Sequence, residues 1–270
     1  MGWRSTAVSL GGVVWPLAGG VLGVLSWRAP FVVYLLGIPL ALLALRLPDQ
    51  PRRVAEPRTP VGRGPGRRRG IGEPGRSWTA LLTGRRLAAV YALQCVATML
   101  LYVVLVFLPV RLAQVHVTNT AVVATAAAGL SVAMSAAALG YVHLRARLPQ
   151  RVLLRHAFLT WTVALLILAL VDMPVALLVA PAVFGLGMGL AVPALTVLTA
   201  DHAPPGRRAQ AVALLATAGF TGQFVAPLLF GPLHAATSIS AAFLAAAVLA
   251  GCVPVALACF GHPVAGGTDR

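Results

Sequence analysis

Apolar stretches long enough to cross a lipid bilayer fill this chain on both sides of one basic segment. A membrane-crossing helix needs about 20 mostly apolar residues. Eight stretches approach or exceed this length, and together they predict an all-α integral membrane protein with eight transmembrane helices. They are Thr6–Ser26, Phe31–Leu47, Leu87–Val110, Ala121–Leu144, Val152–Val171, Val175–Leu198, Ala209–Leu233 and Ile239–Phe260.

The composition indicates that lipid, not water, surrounds the chain. Hydrophobic residues make up 59% of the 270 positions and charged residues only 10%, which is too few charges to cover a water-soluble domain of this size. A net charge of +15 suggests nucleic-acid binding in a soluble protein. Here the arginines lie in loops beside apolar spans, and Trp78 is the one aromatic residue of the basic segment. Membrane lipid is therefore the expected partner, and nucleic acid is not.

The order of these features divides the chain into three parts. Residues 1–47 carry two predicted helices, residues 48–86 form a basic linker, and residues 87–270 carry six helices and a short tail. The linker holds ten of the 21 arginines among many glycines and prolines, which predicts a disordered cytoplasmic segment that lies along anionic lipid headgroups. No Gly-Lys-Ser/Thr follows its glycines, so a phosphate-binding loop is not indicated.

The distribution of arginine predicts the orientation. Loops rich in arginine stay in the cytoplasm. With the N-terminus inside, 19 of the 21 arginines fall on the cytoplasmic side, and Arg28 and Arg111 fall outside. We therefore expect a multi-pass plasma membrane protein with both termini in the cytoplasm. A cleaved signal peptide is the weaker interpretation of the first span, because a second span follows within a few residues.

The titratable residues do not form a pattern typical of catalysis or metal binding. No acidic residue lies in the interior of a predicted span, although an intramembrane carboxylate is the usual sign of a proton or cation relay. The three cysteines and six histidines form no cluster along the sequence. The sequence therefore predicts neither an enzyme nor a metal or other cofactor.

Uncharged polar residues in the spans are the remaining candidates for function. Tyr91, Gln94, Thr98 and Tyr102 share one face of the third span, and Gln223 interrupts the seventh. Such groups either line a cavity for a small-molecule substrate or form hydrogen bonds between helices. We favour the cavity for these residues.

Two serines on the fourth span and the helix-breaking residues of later spans have different explanations. For Ser131 and Ser135 we favour hydrogen bonds between helices. The sixth and seventh spans are rich in glycine and proline, which is tolerated in membrane helices that pack closely or line a cavity.

Several segments resemble motifs of the major facilitator superfamily, and specifically of its multidrug-efflux branches. Residues 11–20, with Gly12, Pro16, Gly19 and Gly20, resemble the antiporter motif of the family's fifth helix. Residues 140–151 resemble a degenerate copy of the cytoplasmic gating motif, with Leu144 at its acidic position. Residues 204–208 and 219–227 are similar to the region of the tenth and eleventh helices. The resemblance assigns the cytoplasmic gate to Gly140, Arg145, Arg147 and Arg151.

This resemblance implies a fold and a function. The family fold has twelve helices in two six-helix halves, and the chain corresponds to the portion from the fifth to the twelfth helix. The implied activity is proton-coupled export of small organic compounds by alternating access. The alternative is a transport-inactive membrane subunit or scaffold, or one part of a split transporter, whose partner is a separate four-helix N-terminal part or a second copy.

Overall fold

The computed structural model describes Pro39 and residues 84–259, and the latter form six α-helices joined by short turns. Two of the predicted spans, Thr6–Ser26 and Phe31–Leu47, lie outside the described residues except for Pro39, as do the antiporter-motif residues Gly12, Pro16, Gly19 and Gly20 and nearly all of the basic linker. The helices are α1 (Arg85–Gln114), α2 (Thr120–Arg147), α3 (Gln150–Leu170), α4 (Pro174–His202), α5 (Arg208–Ala236) and α6 (Ile239–Cys259).

The six helices coincide with the last six predicted spans. All six are long and apolar enough to cross a membrane, which confirms an all-helical membrane bundle in this part of the chain. The count of eight spans stays a prediction. Several helices extend past the predicted ends, so that Asp201, expected just beyond a helix, lies in the last turn of α4.

Local sequence explains where several helices begin. The side chain of Asn119 accepts a hydrogen bond of 2.9 Å from the backbone N–H of Ala121 and caps the start of α2. Pro149 directly precedes α3, and Pro174 is the first residue of α4, where the missing N–H of proline costs no helical hydrogen bond.

The helices pack mainly as three pairs, α1 with α5, α2 with α4 and α3 with α6, and α4 also packs on α3. The arginine-rich end of the bundle, which carries Arg145, Arg147 and Arg151, is the cytoplasmic end in the predicted orientation. The most buried large side chains are Trp161, Phe158, Phe184 and Phe243. Helices α2 and α5 are the least buried of the six.

Glycines let α4 approach two neighbours at once. On one side of α4, a Cβ atom at Gly185 or Gly189 would collide with backbone carbonyl oxygens of α2. On the other side, a Cβ atom at Gly187 would lie 2.7 Å from the carbonyl oxygen of Ala157 on α3. Lipid tails are as apolar as the helix surfaces, so close packing of this kind holds membrane helices together.

An aromatic contact reinforces the pairing of α3 with α4. The indole N–H of Trp161 donates a hydrogen bond of 3.0 Å to the carbonyl oxygen of Phe184. Their rings stack with centroids 5.3 Å apart. A buried tryptophan is thus satisfied without any charged partner.

Candidate functional site

The polar face of α1 lies partly against α5. Thr98 Oγ1 is 2.8 Å from the carbonyl oxygen of Gly219 on α5 and 2.9 Å from that of Gln94 on its own helix. Tyr91 is buried, and its hydroxyl donates a 3.3 Å hydrogen bond to the carbonyl oxygen of Ala211. In this conformation Tyr91 and Thr98 therefore connect two helices, which is the alternative to a cavity lining.

The polar side chains of the other predicted cavity residues have no hydrogen-bond partner within residues 84–259. Gln94, Tyr102 and Gln223 are each half-buried, and none forms a side-chain hydrogen bond with another residue in the described part of the chain. The amide of Gln94 is adjacent to α5, because a Cβ atom built at Gly219 would lie 3.3 Å from its Nε2 atom. Their assignment to a substrate cavity stays a prediction.

The two serines of α2 do not have the partners that we expected. Ser131 donates to the carbonyl oxygen of Ala127 at 3.3 Å, and Ser135 donates to that of Ser131 at 2.8 Å. Both bonds lie within α2, so the prediction of hydrogen bonds between helices is wrong for these residues. A serine in a helix can always reach the carbonyl four residues earlier, which satisfies its hydroxyl locally.

The predicted gate residues lie together at the arginine-rich end. Arg145, Arg147 and Arg151 are exposed and form no hydrogen bond or ion pair with residues 84–259. Gly140 is half-buried with open space around it, since a Cβ atom there would meet only the end of Leu144 at 3.9 Å. A surface depression beside them is lined by His143, Leu144, Arg147 and Leu148.

A buried glutamine in the same segment escaped the sequence analysis. Gln150 Nε2 lies 2.6 Å from the carbonyl oxygen of Ala194 on α4 and 3.2 Å from the hydroxyl of Tyr141 on α2. Its position between Pro149 and Arg151, at the start of α3, is typical of an exposed first-turn residue. No periodic pattern of polar or apolar residues marks Gln150 as buried. The one sign of a polar partner in the sequence is Tyr141, nine residues earlier.

A buried arginine at the opposite end was also missed. Arg111 is only 4% exposed, although the sequence placed it in an outer loop. Its Nε donates to the carbonyl oxygen of Leu168 at 2.9 Å, and its Nη2 donates to that of Val171 at 3.1 Å and to Asp172 Oδ1 at 2.6 Å. The cation therefore satisfies carbonyls left free at the end of α3, where the helix dipole favours positive charge.

A bundle of six membrane-spanning helices, with its polar groups gathered at helix contacts and helix ends, defines a multi-pass membrane protein. The family model of the Major Facilitator Superfamily matches residues 1–154 and 121–267, so the chain belongs to this superfamily. No curated protein matches the chain.

Proposed function

We propose that the chain works as a secondary active transporter that exports small organic compounds in exchange for protons. Membership of the Major Facilitator Superfamily, over nearly the whole chain, is the observation that carries transport as the general function. Alternating access, in which one helical bundle rocks against another, is the mechanism that such a fold suits. No resident cofactor or metal is part of this proposal.

The proposed substrate class rests on polar side chains of α1 and α5 that have no hydrogen-bond partner among residues 84–259. Gln94 and Gln223 offer neutral amides, and Tyr102 offers a phenol with an aromatic face. Neutral hydrogen-bonding groups beside aromatic and aliphatic surface suit amphipathic organic molecules. Tyr91 and Thr98 bond to α5 in this conformation, so we assign them to the edge of this lining.

The arginine-rich end is the proposed cytoplasmic gate. Gly140, Arg145, Arg147 and Arg151 lie at this end, and the three exposed arginines have no hydrogen-bond or ion-pair partner among residues 84–259, which supports this assignment. Because arginine is enriched at cytoplasmic loops, this end faces the cytoplasm of a plasma membrane protein whose two termini are both inside.

A second candidate function is a transport-inactive subunit or scaffold, or one part of a split transporter. The observation that favours it is the apolar exposed surface of the two least buried helices. Leu139 and Val142 on α2 are 78% and 70% exposed, and Phe220 and Phe224 on α5 are 66% and 69% exposed. These faces suit contact with a four-helix partner or with a second copy of the chain, as well as with lipid.

The test is transport by the purified chain in liposomes. We expect a neutral amphipathic fluorescent dye to accumulate in vesicles when an imposed proton gradient is oriented to drive export, and to leak out when a protonophore collapses the gradient. Gln94→Leu and Tyr102→Phe should reduce the rate. Gln210→Leu is the matched control, because the Gln210 side chain is exposed at the start of α5.

The alternatives predict different outcomes of the same assay. Transport that appears only after co-expression with a four-helix N-terminal part of a related exporter would support the split transporter. Absence of transport under both conditions would contradict export and favour the scaffold.

A further inference from the structure

The gate segment, residues 140–151, contains two buried residues, and they bond to each other. Tyr141 is 7% exposed and Gln150 is 8% exposed. The Gln150 amide lies between the Tyr141 hydroxyl on α2 and the Ala194 carbonyl oxygen on α4. One side chain at the start of α3 thus connects three helices.

The contact on α4 comes directly after a weak point of that helix. Pro193 has no backbone N–H, so the carbonyl of Gly189 one turn earlier lacks its usual helical partner. Helices bend most readily at such positions. Ala194 is the next residue, and its carbonyl has a second lone pair with which to accept the bond from Gln150.

Different contacts hold the two parts of α4 on either side of Pro193. Before the proline, Gly185 and Gly189 pack against the backbone of α2. After it, the Gln150 amide binds Ala194 at 2.6 Å. The glycine contacts do not extend to residues 194–202, so the Gln150 side chain provides a polar attachment of this part to the start of α3 and, through Tyr141, to α2.

We propose that Gln150 is a positioning residue for the gate, which holds the part of α4 after Pro193 against the segment that carries Arg147 and Arg151. The role of the gate rests on the proposed function, whereas the attachment itself rests on the geometry alone. Loss of the amide removes this polar attachment, so residues 194–202, still packed through the buried Leu195 and Leu198, shift at Pro193 relative to α2.

Distances between spin labels test this attachment without any need for transport. In the full chain with its three cysteines replaced by alanine, labels at Ala146→Cys on α2 and Val197→Cys on α4 report the relative position of the two segments. Both native side chains are exposed. Double electron–electron resonance then gives the distribution of distances.

Gln150→Met keeps the length of the side chain and removes its hydrogen bonds. We expect a broader distance distribution with a shifted mean, whereas Gln210→Met, the same change at an exposed site, should leave the distribution as in the parent. A folded Gln150→Met protein with the parent distribution would overturn the proposal.

Gln150→Glu separates hydrogen bonding from volume. A protonated carboxyl group donates to the Ala194 carbonyl as the amide does, and a carboxylate cannot. The groups that face it are the Tyr141 hydroxyl on α2 and the Ala194 carbonyl on α4, and the charges of Arg145 and Asp201 act on Tyr141. We expect the parent distribution at low pH and the Gln150→Met distribution at high pH. A distribution that does not change with pH would contradict the proposal.

Two further comparisons keep the outcome decisive. If Gln150→Met does not give monodisperse protein, Tyr141→Phe serves as the replacement variant. It removes one of the two hydrogen bonds of Gln150, so it should broaden the distance distribution less than Gln150→Glu does at high pH. A parent-like distribution in Tyr141→Phe together with a pH-independent Gln150→Glu overturns the proposal. If the Gln150 variants alter the distances but the parent chain does not transport, the attachment is supported and export is rejected. If the parent chain transports but the Gln150 variants leave the distances unaltered, export is supported and the attachment is rejected.

Discussion

The contact between α2 and α4 and the contact between α1 and α5 both depend on glycine, but they use polar groups differently. Against α2, Gly185 and Gly189 face the carbonyl oxygens of Leu130 and Met134, and the serines of α2 bond within their own helix. Against α1, Gly222 faces the carbonyl oxygen of Cys95, and Thr98 and Tyr91 add hydrogen bonds to α5.

This difference shows that a hydroxyl in a membrane helix does not by itself predict an interhelical bond. The i−4 carbonyl is always within reach, so Ser135 needs no neighbour. Thr98 reaches α5 because Gly219 presents a bare backbone to it at 2.8 Å. The residue on the facing helix decides which bond forms.

The largest loss of folded protein should come from placing a large side chain in the contact between α2 and α4, where the helices meet through packing alone. Gly189→Leu places a side chain against the backbone of α2, which cannot move aside as a flexible side chain can, and we expect loss of the folded bundle. Gly231→Leu is the matched control, since nothing lies within 4 Å of a Cβ atom there. The yield of monodisperse protein after solubilisation measures the difference. Equal yields would show that α2 and α4 do not depend on this close approach.

A smaller effect is expected from adding one methyl group to the other contact. Gly222→Ala would press a Cβ atom on the carbonyl oxygen of Cys95, and overpacking of this kind costs about 1–3 kcal/mol. Gly219→Ala meets the movable end of Gln94 at 3.3 Å and should cost less. Unfolding in mixed micelles with increasing SDS gives both free energies. A larger loss for Gly219→Ala would reverse our account of this interface.

The hydrogen bond of Thr98 should contribute about 0.6–1 kcal/mol, as interhelical bonds in membranes do on average. Thr98→Val keeps the shape and removes the hydroxyl, so the free energy of unfolding should fall by that amount. Ser135→Ala should change it very little, because its bond lies within α2. Equal losses in the same SDS titration would remove the distinction between the two contacts.

Of the two hydrogen bonds between α1 and α5, that of Tyr91 should contribute less, so Tyr91→Phe should cost little stability. Its hydroxyl is 3.3 Å from the Ala211 carbonyl oxygen, which is longer than the roughly 2.5–3.0 Å usual for O–H···O bonds. We expect a loss below that of Thr98→Val. A loss above it would mean that Tyr91 is the principal polar contact of α1 with α5, and the double variant would show whether the two bonds are independent.

Much of the fold could be predicted from the sequence, because span length and apolar character are local properties. The six helices of residues 84–259 follow the predicted spans, although Asp201 shows that helix ends extend further than the apolar residues do. Polar partners are not local. Gln150 donates a hydrogen bond to Ala194, 44 residues later in the chain, and no pattern in the sequence around Gln150 predicts this contact.

The partners of the charged residue Arg111 are likewise not encoded in its local sequence. An arginine after an apolar span usually lies in water, so the sequence predicts Arg111 in an outer loop. The free carbonyls at the end of α3 instead make a buried position favourable for this cation.

That arginine also bears on how the protein is made. Its carbonyl partner Leu168 is 57 residues further along the chain, so the ribosome has to add almost all of α2 and α3 before the guanidinium can be satisfied inside the bundle. A bare guanidinium is costly in hydrocarbon. We therefore expect α1 to keep this end at the membrane surface during synthesis and to complete its packing only after α3 has entered the bilayer.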